Sequence, residues 1–175
     1  MSDRAPAPVF RTIEALVAAL RDAAPGDVVL ANGCFDPLHV GHVRYLDDAK
    51  RHGDFLVVAV NDDAGTRRLK GAGRPVVNED ERAALVAALA CVDAVLVFGR
   101  ENAGDDNVAA ILERVRPAVH AKGTDYTVET VPEREVAKRL GIRTVITGDQ
   151  KSHASREIVS RVRGDRGGGR GPGAP

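Results

Sequence analysis

The sequence predicts an α/β fold in which a doubly wound parallel sheet of about five strands carries helices on both faces. Short apolar segments alternate along the chain with longer segments whose apolar residues recur at helical spacing. The short segments are almost continuous in Val, Ile, Leu and Ala, which is typical of strands buried on both faces of a parallel sheet. Polar residues and glycines follow several of them, as expected at the ligand-binding edge of such a sheet.

The first predicted element is a helix whose apolar residues are Ile13, Leu16, Val17 and Leu20. Thr12 is placed to cap this helix, and Gly26 lies after its end. A buried strand is expected at residues 28–31, a helix at 39–51 and a second strand at 55–60.

The same alternation continues to residue 162. Asn78 is placed to cap a helix with three acidic residues in its first turn. The remaining elements are a strand at 94–98, a helix at 108–115, a strand at 118–121, a helix opened by Pro132 at 132–140, a strand at 143–146 and a helix at 154–162. Right-handed crossovers between parallel strands make this a Rossmann-like arrangement, with ligands bound beyond the carboxyl ends of the strands.

Length and composition favour one domain with a small-molecule partner. The 175 residues suit a domain at 10–163, between a flexible N-terminus at 1–9 and a disordered Gly/Arg/Pro tail at 164–175. The 25 basic and 25 acidic side chains cancel, so no global field would recruit nucleic acid or a membrane. No apolar run reaches the roughly 18 residues of a membrane span, and no signal peptide is evident, so we expect a cytoplasmic protein. Its two cysteines are too few for a disulfide framework.

Residues 32–42 connect the first buried strand to the next helix and read Asn-Gly-Cys-Phe-Asp-Pro-Leu-His-Val-Gly-His. The N–H groups and positive dipole end of a helix attract anions. His39 and His42 are three residues apart and would lie on one face of the first turn. Gly33 and Gly41 would let the backbone approach a ligand closely. The segment therefore predicts a phosphate site.

Other interpretations of this segment stay open. The two histidines could cap a surface helix, or they could ligate zinc, although no second ligand pair accompanies them. Cys34 could act as a nucleophile oriented by a histidine, or it could be small buried filler at the strand end. Asp36 could hold the turn by accepting hydrogen bonds from backbone N–H groups.

The residues also carry a resemblance to a known family. Asn-Gly-Cys-Phe-Asp followed by His-Val-Gly-His-Val-Arg-Tyr-Leu resembles the H-x-G-H nucleotidyltransferases, specifically the adenylyltransferases acting on D-glycero-β-D-manno-heptose 1-phosphate. The resemblance covers about residues 10–163. Arg-Arg-Leu-Lys-Gly at 67–71, Glu-Arg-Ala-Ala-Leu at 81–85 and Lys-Gly-Thr-Asp-Tyr at 122–126 follow in the family's order, and the combination is more specific than H-x-G-H alone.

The resemblance implies that a phosphate oxygen of the acceptor attacks the α-phosphorus of ATP and releases pyrophosphate. It implies catalytic roles for His39 and His42 in stabilising the transition state, and for Lys70 and Arg82 in supplying positive charge. A solvated basic loop is the alternative for Lys70, and an exposed ion pair with an acidic neighbour is the alternative for Arg82. Mg²⁺ is expected with ATP, because two polyanions must meet in one crevice.

The resemblance also implies the contacts of each substrate. The nucleotide is expected to bind Asn32, Gly33, Cys34, Phe35, Gly41, Lys122, Gly123, Asp125, Tyr126, Lys151, Ser152 and Ser155. The acceptor is expected to bind Asp36, Asn61, Asp62 and Asp63. Relatives carry a hydroxyl triplet at the start of the last helix, where this chain has Ala-Ser-Arg at 154–156, so the role of that segment is in doubt. A tight turn at Gly123 and a solvated turn at 62–63 are the structural alternatives.

Partners and competing functions complete these expectations. The chain has no sugar kinase domain, so a separate kinase is expected to supply the acceptor, and the resemblance suggests a homodimer. The second candidate is a cytidylyltransferase acting on glycerol 3-phosphate or another alcohol phosphate. A non-catalytic nucleotide-binding regulator is the third. Its only support is the altered segment at 154–156, and the intact histidine pair argues against it.

Overall fold

A computed structural model describes residues 5–99 and 107–149, together with Val159. In this part of the chain six parallel strands form one sheet in the order β1-β4-β3-β2-β5-β6. The strands are β1 Val9–Phe10, β2 Val28–Gly33, β3 Phe55–Asn61, β4 Ala94–Phe98, β5 Val119–Gly123 and β6 Arg143–Thr147. The helices are α1 Ile13–Ala23, α2 Val40–Lys50, α3 Asp63–Lys70, α4 Glu79–Ala87, α5 Val108–Val115 and α6 Arg134–Arg139.

The sheet changes winding direction at β2. From β2 the chain builds outward through β3 to β4, and it then returns to place β5 on the other side of β2, followed by β6. Leu30 is consequently in register with Val57 of β3 on one side and with His120 of β5 on the other. This is the doubly wound parallel sheet that the sequence predicts. The carboxyl ends of β2 and β5 flank the switch point, where such sheets bind ligands.

Two apolar cores cover the two faces of the sheet, because successive residues of each strand point to opposite sides. Val29 and Ala31 of β2 pack into the core that includes residues of α2 and α4. Leu30, between them, packs into the other core, which includes residues of α1, α5 and α6. The strands are therefore buried on both faces, and the nearly continuous apolar segments of the sequence have this cause.

Local capping signals set the starts of two helices as expected. The Thr12 hydroxyl accepts a hydrogen bond from the amide of Ala15 at 3.2 Å, and the Asn78 side chain accepts one from the amide of Glu81 at 2.9 Å. Each satisfies one of the N–H groups that a helix leaves without an internal partner. The helix expected to open at Pro132 instead begins two residues later, at Arg134.

Helix α3 is the main departure from the predicted elements. Residues 63–70 follow β3 in a segment expected to be a loop, but they form a helix capped by Asp62, whose Oδ1 accepts a hydrogen bond from the Gly65 amide at 2.6 Å. The helix buries only Gly65 and Thr66, so it has no apolar stripe that would reveal it. Lys70 is the last residue of this helix, rather than a loop residue.

The N-terminal segment also differs from expectation. Ala7 is buried, its amide donates to the carbonyl of Ala87, and Val9 begins the two-residue edge strand β1. Residues 7–9 thus belong to the packed domain, not to a flexible terminus. The helix expected at 154–162, apart from Val159, and the tail at 164–175 lie outside the described residues. In the described part of the chain, no helix is long and apolar enough to cross a membrane.

Candidate active site

The turn between β2 and α2 places one histidine before the helix and the other inside it. His39 has extended backbone and caps α2, and its Nδ1 accepts a hydrogen bond from the Gly41 amide at 3.1 Å. Both histidines were expected on the first turn of this helix, but His39 lies just before that turn. The Gly41 amide is engaged by its bond to His39, and the nucleotide contact predicted for Gly41 stays a prediction. Because Nδ1 accepts, a neutral His39 carries its proton on Nε2 and can donate from that atom.

The two histidine rings stack. Their centroids are 3.8 Å apart with an interplanar angle of 25°, and both side chains are half-buried. Phe35 meets the His42 ring edge-on, with the centroids 5.1 Å apart. Stacking and edge contact fix the ring planes, so the pair has a defined orientation at the start of α2.

The Phe35 side chain is buried against the His42 ring. Phe35 is 1% exposed, so the nucleotide contact predicted for it would have to come from its backbone, and that contact stays a prediction. Its backbone is left-handed, with φ of 50°. Gly33 makes room for the ring, because a Cβ on Gly33 would lie 3.2 Å from the ring's outermost carbon. The sequence Gly-Cys-Phe thus builds the support of the site.

Asp36 holds the loop before α4. Its Oδ2 accepts from Nε of Arg74 at 2.6 Å, and its Oδ1 accepts from the amides of Val76 at 2.8 Å and Val77 at 3.0 Å. Both side chains are buried, with Asp36 only 1% exposed. Both carboxylate oxygens of Asp36 are thus engaged within the protein, and its acceptor-binding role stays a prediction. The alternative predicted for Asp36, a carboxylate that accepts from backbone N–H groups, is right about the donors but not about their place, because both amides belong to the loop before α4 and not to the turn before α2.

Arg82 lies beneath the site and joins its loops. The guanidinium is fully buried and donates to the carbonyls of Val77, Cys34 and Asn61 at 2.7–2.8 Å. Its remaining nitrogen donates to Asp63 at 2.7 Å. Arginine suits this role because its planar fork directs several donors at once. This burial contradicts the alternative of an exposed ion pair, whereas the phosphate role predicted for Arg82 stays a prediction.

Cys34 is buried filler at the end of β2. Its side chain is 9% exposed and its thiol contacts Oδ1 of Asn61 at 3.7 Å. Burial raises the pKa of the Cys34 thiol, and the nearby charge of Lys70 opposes that rise. A raised pKa makes the thiolate scarcer, so the structure disfavours a nucleophilic role. Lys70 itself is exposed at the end of α3.

The three polar residues at the end of β3 have internal partners. Asp62 is buried as the cap of α3, and this burial raises the pKa of its carboxyl. The amide of Asp63 donates to Glu79 at 2.8 Å, and its side chain binds Arg82. Asn61 accepts from the Cys34 thiol. The segment is therefore not a solvated turn, and acceptor binding by these residues stays a prediction.

A buried polar cluster occupies the switch point between β2 and β5. Lys122 is 5% exposed, and its Nζ donates to Oδ1 of Asn32 at 3.2 Å and to Glu133 at 3.3 Å. The same Nζ lies 4.8 Å from the centre of the Tyr126 ring. Nε2 of His120, which is fully buried, lies 3.4 Å from the same oxygen of Asn32.

The segment after β5 forms a tight turn, in which the amide of Tyr126 donates to the carbonyl of Gly123 at 3.1 Å. Gly123 does not adopt a positive φ, and Asp125 is exposed. The Thr124 hydroxyl donates to the carbonyl of Asp149 at 3.0 Å. Asp149 also pairs with Arg44 of α2 at 2.9 Å. These two contacts hold Asp149 beside the segment that follows β5. Lys151, Ser152 and Ser155, which were predicted to bind the nucleotide, lie outside the described residues.

Comparison with known proteins identifies the family. The cytidylyltransferase-like family model matches residues 30–163, more than half of the chain. The chain belongs to the cytidylyltransferase-like family. Membership confirms the nucleotidyltransferase class that the sequence predicts.

Two relatives of this cytidylyltransferase-like chain are each named bifunctional protein HldE. That of Syntrophotalea carbinolica is 43% identical over 135 residues, which are 77% of this chain and 26% of the relative. That of Pseudomonas paraeruginosa is 44% identical over 153 residues, which are 86% of this chain and 31% of the relative. The chain therefore spans about a quarter to a third of the length of these curated relatives.

Two solved structures share the cytidylyltransferase-like fold. The lipopolysaccharide core biosynthesis protein of Thermoplasma volcanium is 30% identical with a TM-score of 0.58, covering 72% of this chain and 99% of its own. Pantothenate synthetase of Thermus thermophilus has a TM-score of 0.62 at 20% identity, covering 86% of this chain and 67% of its own. The second shows likeness of fold alone.

The residues of this cytidylyltransferase-like site that the sequence did not single out are His120, Glu133, Tyr45 and Arg74. The Tyr45 hydroxyl donates to the carbonyl of Ala121 at 2.9 Å and accepts from the amide of Asn32 at 3.3 Å, which ties α2 to β2 and β5. One signal was available for His120, because residues two apart in a strand share a face and His120 is two before Lys122.

Within residues 5–99 and 107–149, no group of three or more His, Cys, Asp or Glu side chains is arranged to hold a metal ion. Asp62 and Asp63 are already engaged by the α3 cap and by Arg82. Mg²⁺ in proteins is commonly bound by one or two carboxylates together with substrate phosphates, instead of a protein cage. The described residues thus offer no cage, and the Mg²⁺ expected with ATP stays a prediction.

Proposed function

We propose that this chain transfers an adenylyl group from ATP to a sugar 1-phosphate, with D-glycero-β-D-manno-heptose 1-phosphate as the acceptor. An oxygen of the acceptor phosphate forms a bond to the α-phosphorus of ATP. The bond from that phosphorus to its bridging oxygen breaks, and pyrophosphate leaves with the electron pair. ADP-sugar is the second product, and no covalent enzyme intermediate is formed. Such a displacement depends on positioning and on neutralising phosphate charge.

The stacked His39–His42 pair carries this proposal. The rings are held 3.8 Å apart at the N-terminus of α2, beside the carboxyl ends of the central strands. A helix N-terminus favours negative charge, and the capped tautomer of His39 provides an Nε2–H donor. Donors that are fixed before the reaction stabilise the charge that develops on the phosphate oxygens. Both histidines are therefore assigned to transition-state stabilisation.

The cations of the site divide into two roles in this proposal. Lys70, exposed at the end of α3 and close enough to influence the Cys34 thiol, supplies charge to the phosphates. Arg82 acts through the loops that it joins, so it is a positioning residue. Mg²⁺ bound to the triphosphate would neutralise further charge.

The choice of acceptor rests on resemblance. The motifs at 32–46 and 122–126 resemble those of heptose 1-phosphate adenylyltransferases. Relatives named HldE and a structural neighbour named for lipopolysaccharide core biosynthesis support a sugar phosphate of that kind. Phosphoryl transfer to a sugar is one route to a sugar 1-phosphate, and we propose that a separate sugar kinase supplies the acceptor in this way. A homodimer and a cytoplasmic location belong to the same proposal.

Pyrophosphate release tests the proposal. Each of the four common nucleoside triphosphates is incubated with Mg²⁺ and a panel of phosphorylated acceptors that includes heptose 1-phosphate, glucose 1-phosphate and glycerol 3-phosphate. We expect release with ATP and heptose 1-phosphate. Release only with CTP and glycerol 3-phosphate would replace the proposal with the cytidylyltransferase alternative. ATP binding without release from any pair would favour the regulator.

A further inference from the structure

The contacts of Lys122 determine which way the Asn32 side chain faces. An ammonium group has three N–H donors and no acceptor. The ammonium of Lys122 donates to Asn32 and to Glu133, and it also lies over the Tyr126 ring. Because the ammonium only donates, the atom of Asn32 that faces it must be the carbonyl oxygen Oδ1. The chemistry of the partner thus orients the amide.

His120 reinforces the same orientation. Its Nε2 lies 3.4 Å from Oδ1 of Asn32, and it must carry the ring proton because that oxygen can only accept. His120 and Lys122 are two residues apart on β5 and reach the same face of the sheet. The main chain of Asn32 is anchored as well, since its amide donates to Tyr45. Both ends of the residue are therefore held.

We infer that Asn32 presents its Nδ2 group as a fixed donor to a phosphate oxygen of the nucleoside triphosphate, with Lys122 and His120 as the positioning residues. No hydrogen bond within the described residues uses Nδ2, and the side chain is only half-buried. Asn32 is the next-to-last residue of β2, and the turn that follows this strand leads to His39. An NH₂ group only donates, which matches phosphate oxygens that only accept.

This inference rests on the proposed function and deepens it. Lys122 was predicted to bind the nucleotide itself. In this inference it instead holds Asn32, and Asn32 binds the nucleotide. An amide held in one orientation loses little conformational freedom when the ligand arrives, and the contact is therefore stronger than one from a mobile side chain.

Two substitutions of Asn32 separate a ligand contact from a purely structural tie. Asn32→Asp keeps an oxygen for Lys122 and His120 but replaces the donor by a negative oxygen. Asn32→Ala removes both. If Nδ2 binds phosphate, MgATP affinity falls about tenfold in the Ala variant and roughly a hundredfold in the Asp variant. If Asn32 only ties β2 to β5, the Asp variant binds like the wild type and the Ala variant binds worse.

Isothermal titration with MgATP and no acceptor measures these affinities, and thermal unfolding checks each fold. MgATP affinity that decreases from the wild type to the Ala variant and again to the Asp variant supports the inference. An Asp variant with the affinity of the wild type overturns it. Wild-type protein that neither binds MgATP nor releases pyrophosphate would overturn the proposed function instead. Pyrophosphate release by the wild type, together with an Asp variant that binds MgATP as tightly as the wild type, would overturn the inference alone.

His120 provides an independent test on another strand. His120→Leu removes one donor to Oδ1, and His120→Gln restores a neutral donor. We expect the Leu variant to bind MgATP several-fold more weakly and to raise the KM for ATP more than it lowers kcat, with recovery in the Gln variant. Equal affinities in both variants and the wild type would contradict a positioning role for His120.

Discussion

Acid should destabilise this protein through His120, and the size of the effect follows from its burial. The side chain is fully buried. Removal from water, followed by the nearby positive charge of Lys122, lowers the pKa of His120 from 6.5 to about 3. The unfolded chain binds a proton at this residue below about pH 6.5, and the folded state does not bind one until about pH 3. The contribution of neutral His120 to folding stability is therefore fully present above about pH 6.5 and is lost as the pH decreases toward 3.

The magnitude comes from proton linkage. Each pH unit between the two pKa values changes the free energy of unfolding by about 1.4 kcal/mol. Lowering the pH from 6.5 to 5 should therefore cost about 2 kcal/mol through this one histidine. That loss is a large fraction of the roughly 5–15 kcal/mol by which domains are stable.

Urea unfolding at several pH values between 8 and 5 measures the effect. His120→Gln cannot ionise but retains a donor for Asn32, so the free-energy difference between wild type and variant isolates the histidine. We expect this difference to be constant above pH 7 and to shift by about 2 kcal/mol in favour of the variant by pH 5. A difference that stays constant over the whole range would refute the reasoning.

Three further predictions concern the loops and the metal. Arg82→Lys keeps the charge but cannot reach the carbonyls of Val77, Cys34 and Asn61 together, and we expect a loss of about 3 kcal/mol in urea unfolding. Asp36→Asn leaves a buried guanidinium without its charge partner and should cost about 3–5 kcal/mol, whereas a surface pair would cost under about 1. Chelation of Mg²⁺ should abolish pyrophosphate release, and full activity in chelator would contradict this.

Much of the fold could be predicted because its signals are local. The strands are buried on both faces, so they appear as continuous apolar segments, and Thr12 and Asn78 mark helix starts by cap chemistry. Helix α3 could not be predicted in this way, since it buries only Gly65 and Thr66 and is fixed by the Asp62 cap. The edge strand β1 has two residues and gives no periodic signal.

The site could be predicted in its location but less well in its roles. The spacing of His39 and His42 after a buried strand placed the pair beside the switch point. The depth of a charged side chain cannot be deduced from its position in a motif, which is why Arg82 was expected to meet phosphate but lies fully buried. Asp36, which was also expected to meet a substrate, is buried as well.

The cluster around Asn32 depends on tertiary contact. Asn32 and Lys122 are 90 residues apart in sequence and meet because β2 and β5 are neighbours in the sheet. Sequence pattern alone predicts that both strands end at the same edge, but it does not predict which strands are adjacent. The two-residue spacing of His120 and Lys122 was the one local sign that both side chains share a face.

The central claim is that the stacked histidine pair stabilises the transition state of nucleotidyl transfer. The most direct test compares His42→Ala with wild type, measuring kcat for pyrophosphate release from ATP and heptose 1-phosphate and, separately, the Kd for MgATP. We predict a fall in kcat of about 10²–10³-fold with less than a tenfold change in Kd, because the bond strengthens as charge develops. Equal losses in kcat and in ATP affinity would contradict the catalytic assignment.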